Sequence, residues 1–241
     1  MSLFERAKGP EGTAVDAATV LIVIPALNEV STIGQVLDEI PLDELRRMGY
    51  EPRILVVDNG SSDGTRHVAL EKGAEVVDEP RRGKGMAMRR AFRDASADYV
   101  FMLDGDATYP PSHIPGMLHV LEDGRDVVIG SRLAGTRAPG SISRLNVIGN
   151  HLLTWLACTL YGVKTSDLCT GYWGFRGEAL SQLQLSAQGF NLEAEFFAEV
   201  ARNRLRLGEL PIHYRRRPTP TKLRSLRDGA RIVRTLLGKR F

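Results

Sequence analysis

The sequence predicts an α/β protein wound around a mostly parallel central sheet. Two observations predict this class. Short β-branched or aliphatic runs alternate with segments of helical periodicity through the N-terminal half, and the connections between them are short. A third observation locates the chemistry. Asn28-Glu29, Asp58 and Asp104-Gly105-Asp106 each follow the end of an expected strand, and in open α/β sheets ligands bind beyond the carboxyl ends of the strands. Three separated acidic motifs are thereby expected in one site.

The elements follow in order. Residues 20–24 form a continuous apolar run closed by Pro25, the pattern of a buried parallel strand. In residues 31–40, Ile33, Val36, Leu37 and Ile40 recur at helical spacing. Residues 53–57 make a second strand ending at Asp58, and the turn at 60–65 carries capping residues for a helix reaching Lys72. A short strand at 75–77 and a helix at 83–95, opening on a basic glycine turn, lead to a fourth strand at 99–103. Beyond Pro111 a helix is expected at 113–121 and a strand at 126–130. Residues 133–143, rich in Gly, Pro, Ser and Arg, read as a mobile loop.

Residues 146–161 read as a strongly apolar helix with Trp155 and Tyr161 in the core. A strand at 170–176 beside the site, a helix at 192–206 and a strand at 210–214 follow. The expected organisation is a flexible arm over 1–19, one domain over 20–223 and a basic amphipathic helix over 224–241. That last helix sets Arg227, Arg231 and Arg234 beside Ile232, Leu236 and Leu237, a pattern suited to an anionic membrane surface.

Composition narrows the function. Hydrophobic residues at 43% and charged residues at 25% are ordinary for a globular chain, and the net charge is only +3. Basic residues crowd the C-terminal region while acidic ones lie earlier, which points to anionic ligands or a membrane surface. No aromatic-interleaved basic repeat supports nucleic-acid binding. Two cysteines give neither a disulfide framework nor zinc spacing. With no secretory signal and no apolar run long enough to span a bilayer, the expected location is cytoplasmic, peripheral at the cytosolic membrane face. GxxxxGK[ST] is absent and no GxGxxG follows the first strand, so neither a P-loop nor a dinucleotide site is supported.

Two carboxylates one residue apart at a strand end suit a hard divalent cation that keeps waters and shares itself with substrate phosphates. The rival reading of Asp104-Gly105-Asp106 is a simple turn. The motif order resolves the choice. VIPALNE at 23–29, VDNGSSDGT at 57–65, GKG at 83–85, DGD at 104–106, DLCTGYWGFR at 167–176 and the segment 214–223 together resemble family 2 glycosyltransferases of the GT-A fold. Within that family they look like the dolichyl-phosphate (polyprenyl-phosphate) hexosyltransferase branch.

The resemblance implies a Rossmann-like three-layer α/β/α sandwich and assigns roles. Pro25, Leu27, Glu29 and Asp58 line the donor nucleotide pocket with Lys84 and Gly105; Asp104 and Asp106 hold Mg²⁺ or Mn²⁺ against the diphosphate. Arg217 and Lys222 match a phosphate-touching pattern, with Thr219 where the family has glycine and Thr108 where many relatives place a metal-side glutamine.

A lipid phosphate is already an anionic nucleophile and needs no strong base; Arg132 and Arg144 are the candidates to hold it by forked hydrogen bonds. A hydroxyl acceptor would need a base, from Asp167, Glu193 or Glu195. Asp167 also has a bracing role open to it, against Arg176. The expected activity is inverting transfer of a hexose from a GDP- or UDP-sugar to a polyprenyl phosphate. The alternatives are a soluble acceptor and a non-catalytic nucleotide-sugar-binding protein.

Overall fold

The computed structural model describes residues 17–93, 95–219 and 225–240. The expected arm thus lies almost wholly outside the described residues, as does Lys222. The strands are β1 (Ala18–Ala26), β2 (Tyr50–Asp58), β3 (Glu75–Asp78), β4 (Tyr99–Met102), β5 (Val127–Arg137), β6 (Trp173–Arg176) and β7 (Leu207–Tyr214). They form one seven-stranded sheet in the order β3-β2-β1-β4-β6-β5-β7. All neighbours pair in parallel except β6, which runs antiparallel to both β4 and β5.

The helices are α1 (Ile33–Asp38), α2 (Leu42–Arg47), α3 (Thr65–Glu71), α4 (Lys84–Arg93), α5 (Ile114–Glu122), α6 (Arg144–Tyr161), α7 (Gly177–Ser181), α8 (Leu192–Arg202) and α9 (Ser225–Arg240). Strand side chains alternate between two apolar layers. Val20, Ile22 and Ile24 of β1 pack with α1, α2, α3 and α5, through residues such as Ile33, Leu45, Ala69 and Met117. Leu21 and Val23 face the opposite layer, where Met88 of α4, Ala157 of α6, Phe196 of α8 and Leu236 of α9 meet. The result is the expected α/β/α sandwich.

Of the boundaries that differ from the sequence reading, three have a clear physical reason. Pro25 lies inside β1 rather than closing it. Its missing N–H costs nothing there, because β4 pairs with β1 only as far as Val23. β5 runs on to Arg137, so half of the expected loop is strand; Thr136 and Arg137 pair with His213 and Tyr214 after a register break at Ser131. A bulged extension of this kind has no clean alternation to read. The helix expected to reach residue 206 stops at Arg202, and Arg204 turns the chain with φ 55°.

The rim of the sheet opposite the acidic motifs is tied by polar contacts. Arg206 grips Asp126 through Nη2–Oδ1 at 2.8 Å, and Arg176 donates to the carbonyls of Leu121 and Arg125 at 2.6 and 3.0 Å. Asp98 accepts from the backbone and hydroxyl of Thr19.

α9 packs on α6 and α8. Its Ile232 and Leu236 are buried, and Lys239 pairs with Glu195 and Glu199 of α8 at 3.0 and 2.9 Å. Much of the apolar stripe that suggested a membrane helix is therefore used within the domain.

The second layer centres on Trp173, stacked on Phe175 at 5.9 Å, with Phe196 5.2 Å from each ring. All are essentially inaccessible to solvent. Truncating Phe175 to Ala is expected to cost about 3–5 kcal/mol of stability, to be read from urea unfolding.

Candidate active site

β4 ends at Met102, and the turn after it carries Asp104 and Asp106. Ala107 holds a left-handed φ of 61°, which folds the chain back so that the Thr108 backbone N–H and hydroxyl donate to Asp106 Oδ1 at 3.1 and 2.6 Å. Thr108 thus steadies the second aspartate.

Each aspartate belongs to a carboxylate–cation–carboxylate chain. Lys84 Nζ lies 2.6 Å from both Asp104 and Glu193. Arg217 reaches Asp106 at 3.0 Å through Nη1 and Glu29 at 2.8 Å through Nη2. Four carboxylates share two cations, a formal excess of two negative charges. Burial and the neighbouring Asp104 charge push the Asp106 carboxyl above its ordinary range, against the pull of Arg217. Burial works to lower the Lys84 ammonium, but Asp104 and Glu193 outweigh it and keep it charged.

These oxygen donors and this excess charge suit a hard divalent cation. Among the described residues no group of three or more His, Cys, Asp or Glu is arranged to hold a metal. A cation here would take its remaining ligands from substrate phosphate and water, as Mg²⁺ does.

A cavity of about 530 Å³ opens at this point, lined by Lys84, Asp104, Asp106, Arg132, Glu193 and Arg217 together with Leu145, Ile148, Leu152 and Leu153 of α6. Arg132 is clamped by Asp167, which accepts from Nε at 2.8 Å and Nη2 at 2.7 Å, while its guanidinium stacks over the Tyr214 ring at 5.4 Å. Burial opposes ionisation of Asp167, yet Arg132 and the Asn150 amide hold its carboxyl below the usual range. Asp167 is therefore the counter-ion of Arg132, not a brace for Arg176, whose guanidinium goes to backbone carbonyls. Glu195 is taken up by Ser186, Ala187 and Lys239 and does not line the cavity. Of the three candidate bases, Glu193 lies in the cavity wall.

The other expected residues do not line the cavity. Glu29 has two tasks: its carbonyl accepts from Thr32 and Ile33 at the start of α1, and its side chain holds Arg217. Gly105 is buried, its carbonyl accepting the Thr32 hydroxyl at 2.8 Å. Pro25 and Leu27, at and just past the end of β1, are half-buried. Asp58 accepts from the Ser61 N–H and borders a separate hollow with Ser62, Arg66 and His67. Arg144 is the exposed first residue of α6. Trp155, expected in the core, is on the surface.

Several contributors escaped the sequence reading. A Cβ on Gly171 would stand 2.5 Å from Asp104 Oδ2 and 3.1 Å from Lys84 Nζ, so a side chain there would push the Asp104 carboxylate out of that ion pair. The Gly171 N–H donates to the buried Tyr109 hydroxyl at 2.7 Å. Asn59 clamps the turn that delivers Lys84: its amide donates to the carbonyls of Glu79 and Arg81, and it accepts from the Gly83 N–H at 2.6 Å. Gly83 has φ 134°, and a side chain there would strike the Gln188 carbonyl. Asn59 and Gly171 sit inside recognised motifs, but their service to Lys84 and Asp104 depends on contacts far along the chain.

Fold and site together define a GT-A glycosyltransferase. Residues 21–184 match the model of glycosyl transferase family 2, and the chain belongs to that family. It is 38% identical over 213 residues to glycosyltransferase AglJ of Haloferax volcanii, covering 87% of this chain and 68% of that protein. It is 32% identical over 216 residues to the dolichyl-phosphate hexose transferase of the same organism, covering 90% and 91%. A solved structure of glucosyl-3-phosphoglycerate synthase from Mycobacterium tuberculosis, with Mn²⁺, uridine-diphosphate-glucose and phosphoglyceric acid, matches with TM-score 0.72 at 25% identity. The match covers 92% of this chain and 80% of that one.

Two outcomes are expected of this site. Gly171→Ala will displace the Asp104 carboxylate and reduce transfer by about 10²-fold, with circular dichroism unchanged. Glu79 accepts three hydrogen bonds from Arg81, which lower its carboxyl from an ordinary 4.5 to about 2. Its contribution to stability is complete above pH 4.5 and is lost as pH falls toward 2. Glu79→Gln will flatten the acid limb of the urea midpoint across that window.

Proposed function

We propose that the protein transfers a hexose from a GDP- or UDP-sugar to a polyprenyl phosphate, inverting the anomeric centre. The observation that carries this reading is the make-up of the cavity, in which the aspartate pair and Arg132 share a wall with apolar residues of α6. A charged headgroup with a long apolar tail fits both surfaces. The relative named as a dolichyl-phosphate hexose transferase supports the same acceptor class.

The nucleotide lies against Pro25, Leu27, Glu29, Asp58 and Gly105. Mg²⁺ or Mn²⁺, held by Asp104 and Asp106 when bound, supplies Lewis-acid stabilisation of the departing diphosphate, in keeping with the Mn²⁺ in the mycobacterial synthase structure. Lys84 and Arg217 stand within reach of the same charge. Because both cations are already positioned by carboxylates, little reorganisation is needed as charge develops.

Arg132 has Nε and Nη2 committed to Asp167. Its remaining nitrogen, Nη1, orients the acceptor phosphate with help from Arg144. An anionic phosphate oxygen then attacks from the face opposite the leaving group.

A second reading is a small phosphorylated acceptor. It is favoured by the likeness to the phosphoglycerate-glucosylating enzyme and by Glu193, whose carboxyl burial raises, as an available base. Labelled UDP- and GDP-hexoses, Mn²⁺ and either polyprenyl phosphate or phosphoglycerate separate the two. Label passing into the organic phase is the expected result, and exclusively aqueous product overturns the lipid reading. Asp104→Asn is expected to lower transfer by about 10²–10³-fold; unchanged transfer overturns the metal assignment.

A further inference from the structure

α6 contains no Asp or Glu, and one of its faces is bare. Leu145, Ile148, Leu152 and Trp155 are 71%, 58%, 62% and 66% exposed. At spacings of three and four residues they form a single stripe along the helix. Contiguous apolar patches on a monomer surface mark interaction sites. Three of its members also line the cavity, so the stripe is continuous with the catalytic cleft.

Arg144 is exposed at the head of the stripe, and the adjoining α9 exposes Arg227, Arg231, Arg234 and Arg240. Exposed apolar residues, a tryptophan and an arginine at its head, on a helix without carboxylates, are the composition of a segment that lies in a membrane interface. The neighbouring α9 adds positive charge, its one carboxylate, Asp228, being buried and paired with Arg231.

We propose that the exposed face of α6 docks the enzyme on an anionic bilayer, setting the cavity mouth against the acceptor's headgroup layer. The inference rests on the polyprenyl-phosphate reading and adds the surface through which that substrate is reached. Among the described residues no helix is long and apolar enough to cross a membrane. The stripe's spacing would also seat a second copy of the chain. That arrangement would cover Leu145, Ile148 and Leu152 at the cavity and close the path to the acceptor.

The chain carries two tryptophans, and Trp173 is buried, so fluorescence changes at the surface report on Trp155. The full chain would be mixed with vesicles of 70:30 phosphatidylcholine to phosphatidylglycerol, with and without brominated acyl chains. The expected result is a blue shift on vesicle addition, quenching by the brominated lipid, and partitioning weakened about tenfold by Trp155→Ser. The variant's thermal midpoint and its transfer to polyprenyl phosphate dispersed in detergent should match wild type.

An unshifted spectrum with vesicles overturns the proposal. So does a shift that follows protein concentration without lipid, accompanied by dimer in light scattering, which assigns the face to a second copy. Absence of transfer to detergent-dispersed polyprenyl phosphate sinks the acceptor reading instead, whatever the vesicles show.

Discussion

Charge imbalance at the end of β4 governs the site. Ions removed from water need partners, and an unpaired buried charge is far more costly than a paired one. Lys84 and Arg217 each serve two carboxylates, so Asp104 and Asp106 stay in place without being fully neutralised. A site in this condition attracts a further cation. It also holds its lysine and arginine ready for an incoming polyanion. The surrounding architecture keeps this arrangement: Asn59 fixes the turn before Lys84, Glu29 anchors Arg217, and Gly171 leaves room for the Asp104 carboxylate.

Topology explains how residues so far apart in sequence meet. β1, β2 and β4 run in parallel, so Glu29, Asp58 and the aspartate pair emerge on the same side. β6 is reversed between β4 and β5 and therefore begins beside the end of β4. The segment entering it brings Asp167 under Arg132 and Gly171 against Asp104. A parallel strand in that place would present its far end instead.

The N-terminal half was largely legible because its signals are local. β-branched runs gave the strands, and residues at strand ends gave the cleft. Later segments were harder where tertiary pairing overrode composition. β5 continues through Gly135 and Thr136 because β7 pairs with it, and nothing local announces this. Trp155 was expected inside because helical periodicity shows that a stripe exists without showing which stripe is covered. Here α8 and α9 cover another face of α6. Asp167 was legible as a chemical group, but its partner was not, since the pairing with Arg132 spans a turn of the fold rather than of a helix.

The two rims of the sheet differ in kind. One is fastened by Arg206 to Asp126, by Arg176 to neighbouring carbonyls and by Thr19 to Asp98. The other ends in ionic partners that have reason to change when a charged ligand enters. Strand register is thus clamped at the end remote from chemistry, and adjustments on binding stay with side chains at the opposite margin. The sheet works as a fixed bench: its foot is bolted, and the tools at its edge can be regrasped without shifting the surface beneath them.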